Sequence, residues 1–180
     1  MKLSLKSALK ISLLSALAIA PILMSGNGAS AQTVQTDKGL NENYIGAGVG
    51  TGITNPEGQD SKVGGNISGR FDVPNAPVSV RGQVLYNDQT SAISPRFTYD
   101  LGVAKDTNVF FGAGYNFVQK DGATSTALGD KNAPVVTLGA ERRLSNDIVL
   151  YGNADLGINA FENSNRQAFG VQVGAAVNIR

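Results

Sequence analysis

Eight separate stretches of this 180-residue chain alternate, residue by residue, between an apolar side chain and a small or polar one. They are residues 44–53, 62–72, 78–87, 93–101, 109–117, 135–142, 148–158 and 168–179. In "VSVRGQVLYN", Val78, Val80, Val84 and Tyr86 oppose Ser79, Arg81, Gln83 and Asn87, with Leu85 out of character. In "ISPRFTYDL", Ile93, Pro95, Phe97, Tyr99 and Leu101 oppose Ser94, Arg96, Thr98 and Asp100. Successive side chains point to opposite faces of a strand, whereas a helix repeats every 3.6 residues. Eight such stretches separated by turn-forming residues predict an all-β chain in which every strand has one apolar face.

The connections alternate in kind. "VPNAP" (73–77), "GVAKDTN" (102–108) and "RLSND" (143–147) read as tight turns. Between them fall "TNPEGQDS" (54–61), the brief "DQTSA" (88–92), "VQKDGATSTALGDKNA" (118–133) and "NAFENSNRQ" (159–167), mostly longer and polar. An antiparallel up-and-down meander follows, with turns at one end and loops at the other.

The first residues stand outside this pattern. Lys2, Lys6 and Lys10 precede the apolar run Ile11–Met24, and Ala29-Ser30-Ala31 supplies a small-residue cleavage site. That order reads as a signal peptide, residues 1–31, cleaved after Ala31. The run is broken by Pro21 and is shorter than the roughly 20 residues a spanning helix needs. Residues 32–43 then form a short periplasmic segment and residues 44–180 a single barrel domain. Cleavage removes three lysines and leaves the 14 acids in slight excess. A nucleic-acid partner, which wants a basic face, is not expected.

Eight alternating strands fit two opposite proteins. A soluble lipocalin-like barrel turns its apolar face inward around a ligand. An outer-membrane barrel turns it outward to lipid and fills its lumen with polar groups. The polar face discriminates between them. It carries glycine, asparagine, serine, threonine and glutamine with scattered arginine and aspartate, and lysine touches a strand only at Lys62. A water-facing surface would carry lysine and glutamate freely. The apolar face also grades: Phe71, Phe97, Tyr99 and Phe111 fall toward the turn end, and Tyr86, Tyr115, Phe117 and Phe169 toward the loop end. Two aromatic girdles at two interfaces are the corresponding membrane expectation.

In the membrane orientation Val80, Val84, Leu138, Leu150, Leu156 and Val173 face lipid. Arg70, Arg81, Arg96 and Arg143 project inward with Asp72, Asp100, Glu141 and Asp155, joined by Gln83, Asn116, Asn153 and Gln172. In so narrow a lumen these groups are expected to form one fully satisfied network, because an unpaired buried charge is heavily penalised. Four guanidinium groups need room. "YIGAGVGTGI" lines one face of its strand with Gly46, Gly48, Gly50 and Gly52, which supplies space and eases curvature. Arg142 has outward phase but sits near a strand end, where it can snorkel. The longest loop, 118–133, is the first candidate for contact with anything outside the cell, and is expected to be solvated.

At this point the chain resembles the small eight-stranded outer-membrane barrels of the OmpA/OmpX type, porin-like in architecture. The resemblance covers leader, strands, short turns and long loops, and rests on no sharp motif. It implies a monomeric barrel whose partners are outer-membrane lipid and the assembly machinery. Such barrels often end in an aromatic residue read by that machinery; this chain reads "VNIR" to Arg180.

Histidine and cysteine are both absent. Ser-His-Asp and Cys-His catalysis and the usual zinc sites therefore have no residues to use, and no enzyme activity, metal or cofactor is expected. "GAGVGTG" is not G-x-G-x-x-G and opens no helix. Three roles stay open: a structural or surface-interaction barrel, a narrow channel for ions or small solutes, and a soluble binding barrel.

Overall fold

In a computed structural model, the described residues are 39–54, 63–119, 125–162 and 164–179. The leader 1–31, most of the predicted segment 32–43, most of loop 54–61, Lys120, Asp121 and Arg180 lie outside them. Eight strands follow one another: β1 (Asn43–Gly52), β2 (Val63–Asp72), β3 (Val78–Tyr86), β4 (Ser91–Ala104), β5 (Thr107–Val118), β6 (Ala133–Arg143), β7 (Ile148–Gly157) and β8 (Ala168–Ile179). Each pairs antiparallel with its neighbour in sequence, and β1 pairs with β8, so the sheet closes into a barrel without a free edge.

The period-two pattern decides which side is wet. Arg70, Arg81, Arg96, Glu141 and Asp155 are buried inside, while Ile67, Phe71, Phe97, Phe111, Phe117 and Leu138 are exposed outside. Val80, Val84, Leu138 and Val173 are exposed on the outer wall, and Leu150 and Leu156 are half-buried there. Arg142 is the one charged residue with outward phase in the described strands. This is the reverse of a soluble barrel, which excludes the lipocalin-like alternative. Two aromatic pairs mark the wall at its two ends: Tyr99 with Phe111 (5.6 Å) toward the turns and Tyr115 with Phe117 (4.9 Å) toward the loops.

Three expectations are corrected. The predicted turn 102–108 is mostly strand: β4 runs on to Ala104, β5 starts at Thr107, and only Lys105 and Asp106 turn, Asp106 with φ 57°. Gly102 sits where the β4–β5 register shifts, as a glycine at a bulge does. The glycines of β1 serve barrel closure more than the arginines. A Cβ at Gly46 would lie 2.4 Å from the carbonyl oxygen of Ala175, and one at Gly48 would lie 2.2 Å from that of Val173. Close approach of β1 to the β8 backbone is what they permit. Finally, loop 118–133 is not simply solvated. Leu128 is fully buried and packs with Leu85, Ala92 and Val135, which explains why Leu85 looked out of place on a polar face.

Candidate functional site

The lumen is built in layers because each strand contributes every second residue to it. On the turn side of the lumen lies an ionic layer. Arg81, from β3, reaches across to two carboxylates: its Nη1 lies 2.8 Å from Glu141 Oε2 and its Nη2 lies 3.0 Å from Asp100 Oδ1. Arg70, from β2, places Nη2 2.9 Å from Asp100 Oδ2 and Nε 3.3 Å from Glu141 Oε1. Two arginines and two acids thus alternate, so each charge faces two of opposite sign. Asp72 joins at the edge, 2.8 Å from Arg70 and partly exposed.

Neutral groups hold the ionic layer in place. The Tyr44 hydroxyl donates to Glu141 Oε2 at 2.8 Å and accepts from Arg81 Nη1 at 2.9 Å. Asn108 Nδ2 donates to Glu141 Oε1 at 2.9 Å. Arg81 Nε donates to Thr98 Oγ1 at 2.9 Å, and its guanidinium stacks 3.7 Å above the Phe110 ring. Planarity and a fixed donor fork suit arginine to this position, where lysine could neither stack nor bridge.

Above it lies a second layer centred on Asp155. Arg96 Nη1 approaches Asp155 Oδ1 at 2.6 Å, while Asn153 Nδ2 and Gln172 Nε2 each donate to Oδ2 at 2.7 Å. Gln83 bridges Asn153 and Gln172 at 3.2 Å on both sides. Between the layers remains a cavity of about 20 Å³, lined by Tyr44, Arg81, Gln83, Arg96, Tyr151 and Asn153. That is room for about one water molecule.

The eight charged residues that the sequence places inward do not form one network. Arg70, Asp72, Arg81, Asp100 and Glu141 meet in the ionic layer, and Arg96 and Asp155 meet above it. Arg143 has inward phase but lies past the last layer, at the rim, paired with Glu42 and Asp106. It sits at the very end of β6, beyond the depth at which the lumen is enclosed. Nor is every group satisfied. Asn116 Oδ1 and Nδ2, Arg96 Nη2 and Gln172 Oε1 are buried without a hydrogen-bond partner in the protein.

Sequence reasoning missed the aromatic part of the lumen. Tyr44 and Tyr151 stack with ring centroids 6.1 Å apart, and Val149 and Ala176 pack with them. A Cβ at Gly174 would touch the Tyr151 ring, and one at Gly139 the Phe110 ring, so these two glycines make the space the rings occupy. The signal was present in the phase. Tyr44 stands two residues before Gly46, Phe110 two before Gly112, and Tyr151 two before Asn153, each on an inward face.

A closed eight-stranded barrel, apolar outside and ionic inside, has a counterpart among solved structures. A de novo designed transmembrane β-barrel superposes with a TM-score of 0.55 at 14% identity, covering 79% of this chain and 99% of the other. Neisserial surface protein A gives 0.54 at 15% identity, covering 76% and 97%. The outer-membrane protein OprG of Pseudomonas aeruginosa gives 0.54 at 11% identity, covering 82% and 99%. The chain has the fold of the small eight-stranded outer-membrane β-barrels. No protein-family model matches the chain, and no curated protein matches it in sequence. The shared architecture includes a designed barrel, so it carries the fold and not a function.

Proposed function

We propose that this protein is a structural or cell-surface interaction barrel of the bacterial outer membrane, with a lumen closed to solutes. The observation that carries the reading is the ionic layer: Arg70, Arg81, Asp100 and Glu141 meet across the barrel, and the free volume beside them is about 20 Å³. A hydrated ion needs a continuous water column, and a single isolated water does not provide one. The apolar outer wall, the leader-like residues 1–31 and the neighbours' fold support insertion in the outer membrane. The turns then face the periplasm and the loops face outward.

The reading gives the loops the contact role. Residues 125–132 do not hang free. The Asp130 and Lys131 amides both donate to the Ala160 carbonyl, at 3.0 and 3.1 Å, and Leu128 fills the barrel mouth. Two loops docked on one another offer a partner a formed surface, which lowers the ordering cost of binding. No histidine or cysteine is available for the commonest hydrolytic chemistry, and the buried acids are engaged by arginines.

Vesicles loaded with a small sugar and carrying the purified protein test this directly. No efflux above empty vesicles is expected. Efflux that rises with protein content would support the narrow channel instead. Recovery with the soluble periplasmic fraction, and not with outer membranes, would contradict the location.

A further inference from the structure

We infer that Gly39–Glu42, the stretch just before β1, is a stopper that closes the periplasmic mouth of the barrel and clasps its wall. A segment that merely led into β1 would touch β1 and its two neighbours. This one spans the opening. The Gly39 amide donates to the Ala104 carbonyl of β4 at 3.0 Å. Leu40 is held at both backbone groups by one side chain of β5: its amide donates to Asn108 Oδ1 at 3.0 Å, and its carbonyl accepts from Asn108 Nδ2 at 2.8 Å. The Glu42 carbonyl accepts from Arg70 Nη1 of β2. The Glu42 carboxylate pairs with Arg143 of β6 and accepts from Asn178 Nδ2 of β8. Three residues of this four-residue stretch thereby join β2, β4, β5, β6 and β8.

What the stopper carries into the mouth is apolar. The Leu40 side chain is 1% exposed and packs on Tyr44, Val149, Tyr151 and Ala176, immediately below the ionic layer. Asn108 serves both, since the amide that holds Leu40 also donates to Glu141. Entry requires glycine: Gly39 has φ 102°, and a Cβ there would lie 2.7 Å from Asn108 Oδ1. The inference rests on the closed-lumen reading and adds a second barrier to it, one made of chain that is not part of the sheet.

The chain has no cysteine, so Val149→Cys places a single thiol in the buried cluster that Leu40 completes. The test is the rate of labelling by a water-soluble, membrane-impermeant maleimide. The barrel is folded in lipid vesicles with its turn end accessible, and folding is checked by heat-modifiable gel mobility. The thiol is expected to be protected with the stopper intact. Labelling should be at least tenfold faster with Leu40→Gly and Glu42→Ala combined. Glu42→Ala alone, which leaves Leu40 in place, should give a smaller rise and keeps the test usable if the double variant does not fold. Ala92→Cys, buried at the opposite mouth, should not change. Equal labelling of Val149→Cys with and without the stopper, whether fast or slow, would overturn the inference. So would a parallel rise at Ala92→Cys, which means general loosening. Wild-type solute efflux tests the closed lumen separately: no efflux together with a freely labelled Val149→Cys removes the stopper and leaves the closed lumen standing.

Discussion

Two levels of the lumen, one on the turn side and one at the loop mouth, are filled by opposite chemistry. Toward the turns, Arg70, Arg81, Asp100 and Glu141 fill the cross-section with paired charge. Toward the loops, Leu85, Ala92, Leu128 and Val135 fill it with hydrocarbon, one of the four brought in from a loop. Charge fills a narrow space only if every partner is present, because each ion has lost its water. Hydrocarbon tolerates more, because a missing methyl leaves a void and not an unpaired ion. The ionic end is therefore specified by a set of residues acting together, and the apolar end by volume.

The largest effect should come from breaking that set. Glu141→Ala leaves Arg70 and Arg81 facing each other with one carboxylate fewer, and should cost about 3–5 kcal/mol. Guanidinium unfolding in lipid vesicles measures it. Changing Arg81 and Glu141 together, to Met and Leu, should restore much of the loss, since no lone charge remains. Next comes the same charge placed on the other side of the wall. Leu138→Arg, on the outer face midway along β6, should cost about 2–4 kcal/mol in a bilayer. Wild-type stability for that variant would contradict the outward apolar wall.

At the loop end Leu128→Ala should cost about 2–3 kcal/mol, in the lower part of the usual range because a mouth can partly collapse. A cost exceeding that of Glu141→Ala would reverse the comparison between the two ends. The smallest effect belongs to the rim. Arg143 is 29% exposed and pairs with Glu42 and Asp106, so Arg143→Ala should cost less than about 1 kcal/mol and should matter less as salt rises. Salt should leave the Glu141→Ala effect unchanged, because that layer is out of reach of counterions.

Much of this architecture was legible in the chain, and the parts that were not share a cause. Alternation along a strand is local, so the eight strands and the side of the wall for Val80, Arg81 or Asp155 follow from reading in twos. Which inward residues meet is not local. It depends on the stagger that closing the sheet imposes on all eight strands at once. That is why Arg81 finds Glu141, sixty residues away, while Arg143 lies beyond the enclosed lumen. Tyr44, Phe110 and Tyr151 were readable by phase, but aromatic residues suggested girdles. Leu128 had no pattern around it: one leucine in a polar loop gains meaning only when the mouth beneath it is seen. Gly102 shows the converse, a turn-like composition overridden by a ladder that continues through a bulge.

Planar-bilayer recording of the purified barrel tests the closed ionic layer most directly. The account predicts no stable conductance steps for the wild-type protein, whose ionic layer fills the lumen. Steady single-sized steps from the wild-type barrel, shifted in size by Arg81→Ala or Glu141→Ala, would contradict it and make the lumen a narrow channel.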